Sequence, residues 1–164
     1  MATPSQLKTP SDLETNAVTS VADALNALLA DSFALYLKTK NFHWHVSGPH
    51  FRDYHLMLDD QATQILGTTD AIAERVRKIG GMTLRSIGHV ARLQRIEDND
   101  EDFVAPREML MELHRDNLKS VEALREAKQV AEKAGDNATD GLIDDWTDLA
   151  EERAWFLFET GRGA

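Results

Sequence analysis

Glycine and proline cut this chain into four long helical stretches, and the gaps between those stretches restrict how the helices can be wired. Gly48-Pro49 closes the first stretch, Gly80-Gly81 the second and Gly135-Asp136 the third, each pair being a helix stop or a turn. From about Val18 to His45 the residues Val21, Leu25, Leu28, Leu29, Phe33, Leu35 and Tyr36 recur near helical spacing. A second helix is predicted from about His50 to Ile79. A third starts at Pro106, a residue suited to the first helical position, and runs to about Ala134. A fourth runs from about Ala138 to Glu159 and carries Trp146, Trp155 and Phe158. Met82 to Ala105 is a long crossover, with a short helix expected over Ser86–Gln94 and an acidic loop over Glu97–Asp102. Nothing reads as a strand. Short first and third connections with a long second one imply two antiparallel hairpins, the crossover returning the chain to the other end of an all-α four-helix bundle. Residues 1–16, with Pro4 and Pro10, read as a flexible tail, 17–160 as one domain and 161–164 as a short C-terminal end.

A chain of 164 residues is long enough for one full core. It has no run of about 18 apolar residues, so no membrane span is expected, and its N-terminus has no basic region followed by an apolar one. There is no cysteine, which excludes disulfides, iron–sulfur clusters, thiolate zinc sites and cysteine nucleophiles and fits a cytoplasmic address. The net charge of −10 repels nucleic acid and attracts cations.

Metal-type side chains concentrate between Asn41 and Arg75: His43, then His55 and Asp59, then Asp70 and Glu74. His55 with Asp59, and Asp70 with Glu74, are four residues apart, so each pair shares a helical face. The four lie within an arc of roughly 100° on one stripe. The midpoints of the pairs are nevertheless roughly 22 Å apart along a helix, whereas a metal bonds its ligands at roughly 2 Å. The pairs meet only if a second copy of the helix packs antiparallel about a two-fold axis near Ile65. His55 and Asp59 then face Asp70 and Glu74 of the partner subunit, giving two shared sites per dimer. The stripe continues between the pairs through Ala62, Thr63 and Leu66, small and apolar, as a packed interface would be. The competing reading is a solvated face carrying ordinary i, i+4 pairs. Imidazole and carboxylate ligands suit iron or manganese, and carboxylates favour the ferric ion.

His45, His50, His89 and His114 have no ligand-like spacing and read as structural or exposed. Trp44, beside His43, reads as core, or as a shield for the site. No zinc-protease HExxH, phosphate loop or GxSxG elbow is present. No glutamate stands three residues before a histidine, so the Glu-x-x-His motif of di-iron centres held inside one bundle is missing.

The segment Lys40-Asn-Phe-His-Trp-His-Val-Ser-Gly-Pro-His-Phe, then His55-Leu-Met-Leu-Asp59, then Asp70-Ala-Ile-Ala-Glu74-Arg75 and Gly80-Gly81 closely resembles the Dps family, the DNA-binding proteins from starved cells or mini-ferritins. The resemblance covers about Val18 to Phe158. It implies a ferritin-like fold, a hollow shell of twelve identical subunits, and di-iron ferroxidase centres at two-fold interfaces. His43, His55 and Asp59 match the ligands of one subunit, Asp70 and Glu74 those of its partner, and Trp44 the tryptophan near the centre. It further implies oxidation of iron(II), preferentially by hydrogen peroxide or else by oxygen, with storage of the ferric product. Asp136, Asp140 and Asp145 match the region of an acidic iron-entry pore, although Gly141 stands where some relatives have an acid. Asp136 and Asp140 equally suit a helix N-terminus.

Many relatives bind DNA through a lysine-rich tail. Residues 1–16 here hold one lysine, Lys8, against Asp12 and Glu14, and the last four residues offer only Arg162. Between Arg75 and Ile96 there are six basic residues (Arg75, Arg77, Lys78, Arg85, Arg92, Arg95) and no acid between them, which are read as ion-pair partners rather than a basic patch. Weak or absent DNA binding is expected. The alternatives are a DNA-compacting, nucleoid-associated protein with secondary iron chemistry, and a bundle with a dead centre.

Overall fold

The computed structural model describes residues 4–162, so Met1–Thr3 of the expected tail and the last two residues of the expected C-terminal end lie outside the described residues. Five α-helices follow a single 3-10 turn at Ser5–Leu7: α1 Thr15–His45, α2 Phe51–Lys78, α3 Ile87–Leu93, α4 Pro106–Ala134 and α5 Asn137–Gly161. Among the described residues there is no strand. α1 pairs with α2 and α4 with α5, while α1 also packs on α4. The short helix α3 sits against α1 inside the crossover. This is the hairpin–crossover–hairpin bundle expected from the connection lengths.

Local chemistry sets the helix ends. Ser86 caps α3 by accepting from the His89 backbone N–H at 3.2 Å. Pro106 opens α4, where its missing N–H costs nothing. Gly135 closes α4 with φ of 68°, a left-handed cap that glycine adopts without strain. Gly81 answers a different need: a Cβ there would stand 2.8 Å from Ala22 Cβ, so only glycine lets the end of α2 lie this close to α1.

The core is in two parts. One cluster is built on Leu25, Leu29, Val76, Ile143 and Trp146. The other, toward His43, is built on Phe42, Leu58, Leu110, Leu113 and Leu157. α1 contributes twelve buried residues. Its hydropathy over an 18-residue window averages 1.3, enough by length and composition to cross a membrane, yet 56% of that window is buried in the bundle, as for a core helix.

The described part of the N-terminal segment runs along the Gly80 end of the bundle. Arg77 Nη2 donates to Leu7 O at 2.6 Å, and Leu13 packs on the first core cluster. The helical domain starts two residues before the expected boundary, at Thr15.

Candidate metal centre

The α1–α2 hairpin brings His43 and His55 face to face, with ring centroids 3.8 Å apart and planes 21° from parallel. Their backbones fix them reciprocally. His43 Nδ1 donates to His55 O at 2.7 Å, and His55 Nδ1 donates to His43 O at 2.9 Å. A carbonyl oxygen only accepts, so each Nδ1 carries the proton and each Nε2 keeps a lone pair. A hydrogen bond from the far ring nitrogen is the usual support for a metal-binding imidazole. His43 is buried, its side chain 8% exposed, and its Nε2 lies 3.9 Å from Asp59 Oδ1.

Asp59 sits one turn beyond His55 and is half exposed. Lys40 Nζ donates to its Oδ1 at 2.6 Å. That bond, reinforced by the charge of Lys40, holds the Asp59 carboxyl below the usual aspartate range against some desolvation. Lys40 was quoted in the sequence motif without a role. Its position three residues before His43, on the same face of α1, was the available signal. The ammonium also lies 5.8 Å from the centroid of the Trp44 ring. Trp44 itself is 58% exposed, so it is not a core residue as its sequence context suggested: its position on α1 turns it away from the buried face that His43 shares with Phe42.

Asp70 and Glu74 lie on the same α2 stripe, exposed and remote from His43. Among the described residues, Glu74 pairs with Lys78 alone, at 3.1 Å. Among the described residues, no three histidine or acidic side chains of one chain converge closely enough to hold an ion. The stripe between the two pairs differs in detail from expectation. Ile65 and Ala62 are 2% and 0% exposed and belong to the subunit's own interior. The outward residues are Thr63, Leu66 and Gly67, and a Cβ on Gly67 would meet nothing within 4 Å. A helix packing on this face would therefore cross beside Leu66 and Gly67 rather than at Ile65.

The three aspartates matched to a pore have different surroundings within one chain. Asp136 is 3% exposed and caps α5, accepting from Thr139 N at 3.1 Å and from Thr139 Oγ1 at 2.5 Å. It also pairs with Arg75 at 2.5 Å. Burial opposes its ionisation, but the Thr139 and Arg75 hydrogen bonds outweigh this and hold its carboxyl below the usual range. Asp136 is thus a structural cap, committed on every side. Asp140 lies 2.8 Å from Lys128 Nζ, which equally pairs with Asp144 at 2.8 Å. Together they raise the Lys128 ammonium well above the usual lysine range. Asp144, one turn from Asp140, was missed by the sequence reading. Asp145 is exposed. Of the other histidines, His45 Nδ1 donates to Asn41 O at 2.8 Å and His114 Nδ1 to Ala154 O at 2.9 Å, both structural roles as expected.

Residues 22–160 match the model of the Ferritin-like domain family. The chain is 38% identical over 130 residues to the DNA protection during starvation protein of Halobacterium salinarum, covering 74% of this chain and 70% of the relative. The chain belongs to the Dps family of ferritin-like proteins. It is 32% identical over 150 residues to the DNA protection during starvation protein of Agrobacterium fabrum, covering 92% of this chain and 93% of the relative. In structure it superposes on the archaeal Dps homologue from Halobacterium salinarum with a TM-score of 0.91 at 29% identity, covering 99% of this chain and 92% of the other. For a Dps chain, the reciprocally locked histidine pair is the part of the candidate centre that one subunit builds alone.

Proposed function

We propose that this protein is a ferroxidase and iron-storage protein. It oxidises iron(II), preferentially with hydrogen peroxide, and sequesters the ferric product inside a hollow shell of twelve subunits, protecting the cell and its DNA from oxidative damage. The observation that carries the reading is the His43–His55 pair, with both Nδ1 protons bound to carbonyls, both Nε2 lone pairs free of those bonds, and His43 Nε2 3.9 Å from Asp59 Oδ1. Such a pair would coordinate iron without rearranging. Asp70 and Glu74 of the partner subunit would complete the set, and Asp59 or Glu74 would bridge two ions. Two iron(II) ions each give one electron. The O–O bond of peroxide takes both and breaks, and with two protons the oxygens leave as two waters. This consumes both ingredients of hydroxyl-radical chemistry.

DNA binding is weak or absent in this reading. Four of the six cations between Arg75 and Ile96 are engaged within the chain: Arg75 with Asp136, Lys78 with Glu74, Arg95 with Asp31, and Arg77 with the Leu7 and Gly81 carbonyls. Among the described residues nothing pairs with Arg85 or Arg92, and two cations are too few for strong counterion release. The protein is then cytoplasmic, with nucleoid association belonging to the alternative DNA-compacting reading.

The test is anaerobic iron(II) oxidation by added peroxide, with particle mass measured on the same sample. Rapid oxidation by a twelve-subunit particle that keeps the iron soluble is expected. A particle of that size without oxidation, or a monomer, would overturn the proposal. A mobility shift showing tight, salt-sensitive DNA binding at neutral pH would move the alternative forward.

A further inference from the structure

Phe51 is a large aromatic side chain that belongs to neither core cluster. It is the first residue of α2, held there by its backbone N–H, which donates to Gly48 O at 3.0 Å. It is 44% exposed, so about half of the side chain is covered by something other than the core. What it covers is a candidate ligand. His55 stands one helical turn further along α2, and the Phe51 and His55 ring centroids are 5.0 Å apart with planes 31° from parallel. That is within the roughly 4.5–7 Å range of favourable aromatic pairs. The His55 imidazole thus has two rings beside it, His43 at 3.8 Å and Phe51 at 5.0 Å.

The two imidazoles need support unequally. His43 lies in the last turn of α1, its side chain 8% exposed and its neighbour Phe42 fully inside the second core cluster. The bundle holds it. His55 is only half-buried. Its Nδ1 bond to His43 O, 2.9 Å long, fixes one edge of the ring. A single hydrogen bond leaves a ring free to rock about that edge, and water that reaches the carbonyl competes for it. Among the described residues that bond alone selects the Nδ1–H tautomer of His55. Each time it opens, the proton is free to move to Nε2 and take the lone pair a metal would need. A phenyl ring against the imidazole opposes both events, because rocking breaks the ring contact and entering water must wet apolar surface.

We infer that Phe51 is a positioning residue for His55, its ring holding the imidazole in the orientation that leaves Nε2 open to a metal ion. What Nε2 would bind rests on the ferroxidase reading; the ring orientation does not. An ordinary i, i+4 apolar pair would add a little helix stability and leave the imidazole unchanged.

The test reads the His55 tautomer in solid-state nitrogen-15 spectra of metal-free, histidine-labelled protein. Mildly alkaline pH keeps free imidazole neutral, and the difference from His55→Gln assigns the signal. The unaltered protein should show Nδ1 protonated. Phe51→Ala should mix the two tautomers and weaken zinc binding by about 3- to 10-fold. Phe51→Tyr keeps the ring, so it should keep the single tautomer and stay within about two-fold of the unaltered protein for zinc. Phe51→Leu, apolar but without a flat face, should behave as F51A and replaces it should F51A not assemble. An unmixed Nδ1–H signal in F51A or F51L would overturn the inference whatever the zinc affinity, and so would tautomer mixing in F51Y. Failure of the unaltered protein to oxidise iron would sink the ferroxidase reading and leave the tautomer result standing.

Discussion

Along the outer stripe of α2, the His55–Asp59 end and the Asp70–Glu74 end differ in how much of their geometry one chain supplies. At the first end the imidazoles are stacked at 3.8 Å and locked by carbonyls 2.7 and 2.9 Å away. At the second, two carboxylates are exposed and one of them, Glu74, pairs with Lys78. A rigid imidazole pair is worth building early, because its tautomer must be set before an ion arrives. Flexible carboxylates need no tautomer and take their final position from whatever docks against them. The difference argues for a division of labour between two subunits rather than a weak site on one.

The sharpest way to break that comparison is to remove one end at a time. His43→Ala and Glu74→Ala should each slow iron oxidation by about 10- to 100-fold, the range for loss of a ligand or its support, without changing particle mass. Shells assembled from equal amounts of the two variants should recover about a quarter of the centres, since half the two-fold interfaces would be mixed and each would hold one intact site of two. No recovery in mixed shells would put both ends in separate sites.

A smaller effect separates the ends by stability. Asp136 holds Arg75, the neighbour of Glu74, against the start of α5. Asp136→Asn removes the charge that caps α5 and leaves Arg75 without its counter-charge, at a cost of about 2 kcal/mol. The sign of its pH dependence follows from the depressed carboxyl. The contribution is fully present above the ordinary aspartate range, near pH 4, and is lost as pH falls through the lower folded value. Denaturant unfolding at pH 7 should therefore show the full difference between D136N and the unaltered protein, and the two should converge as pH falls through the lowered folded value. Hydrogen exchange in D136N should rise at the Glu74 end of α2 and not around His55.

Much of this was legible in the residues because punctuation is local. Gly48, Gly80, Gly135 and Pro106 set helix ends to within three residues of those observed, and the wiring followed from loop lengths. His55 could be paired with Asp59 because they stand one helical turn apart, whereas His43 joined them only through the resemblance to the Dps family. What was not legible depends on three-dimensional rotation. An ideal 100° step placed the outer stripe over Ile65, but packing turned Ile65 and Ala62 inward and left Leu66 and Gly67 outside. Trp44 looked like core and faces out. The mutual Nδ1–carbonyl bonds arise between helices, and no spacing rule on one strand of sequence encodes them.

Lys40 gives the finest test of the division between the ends, because within one subunit it contacts one only. Its ammonium occupies Asp59 Oδ1 at 2.6 Å, where in the proposed centre an incoming cation would bind, so metal binding would displace it. A half-exposed ion pair is weak, and Lys40→Met should tighten binding of a redox-silent surrogate such as zinc by about two- to five-fold at pH 7. The pH dependence has a definite sign. Without the Lys40 hydrogen bond the Asp59 carboxyl rises toward its ordinary range. The variant's carboxylate is then protonated at higher pH than before, and its advantage should shrink as pH is lowered through that range. In the proposed shared centre the partner's Glu74 holds the same ions as Asp59, so the effects of K40M and Glu74→Ala on zinc binding should couple rather than combine independently. Weaker zinc binding in K40M alone would mean that Lys40 positions Asp59 for the ion rather than competing with it.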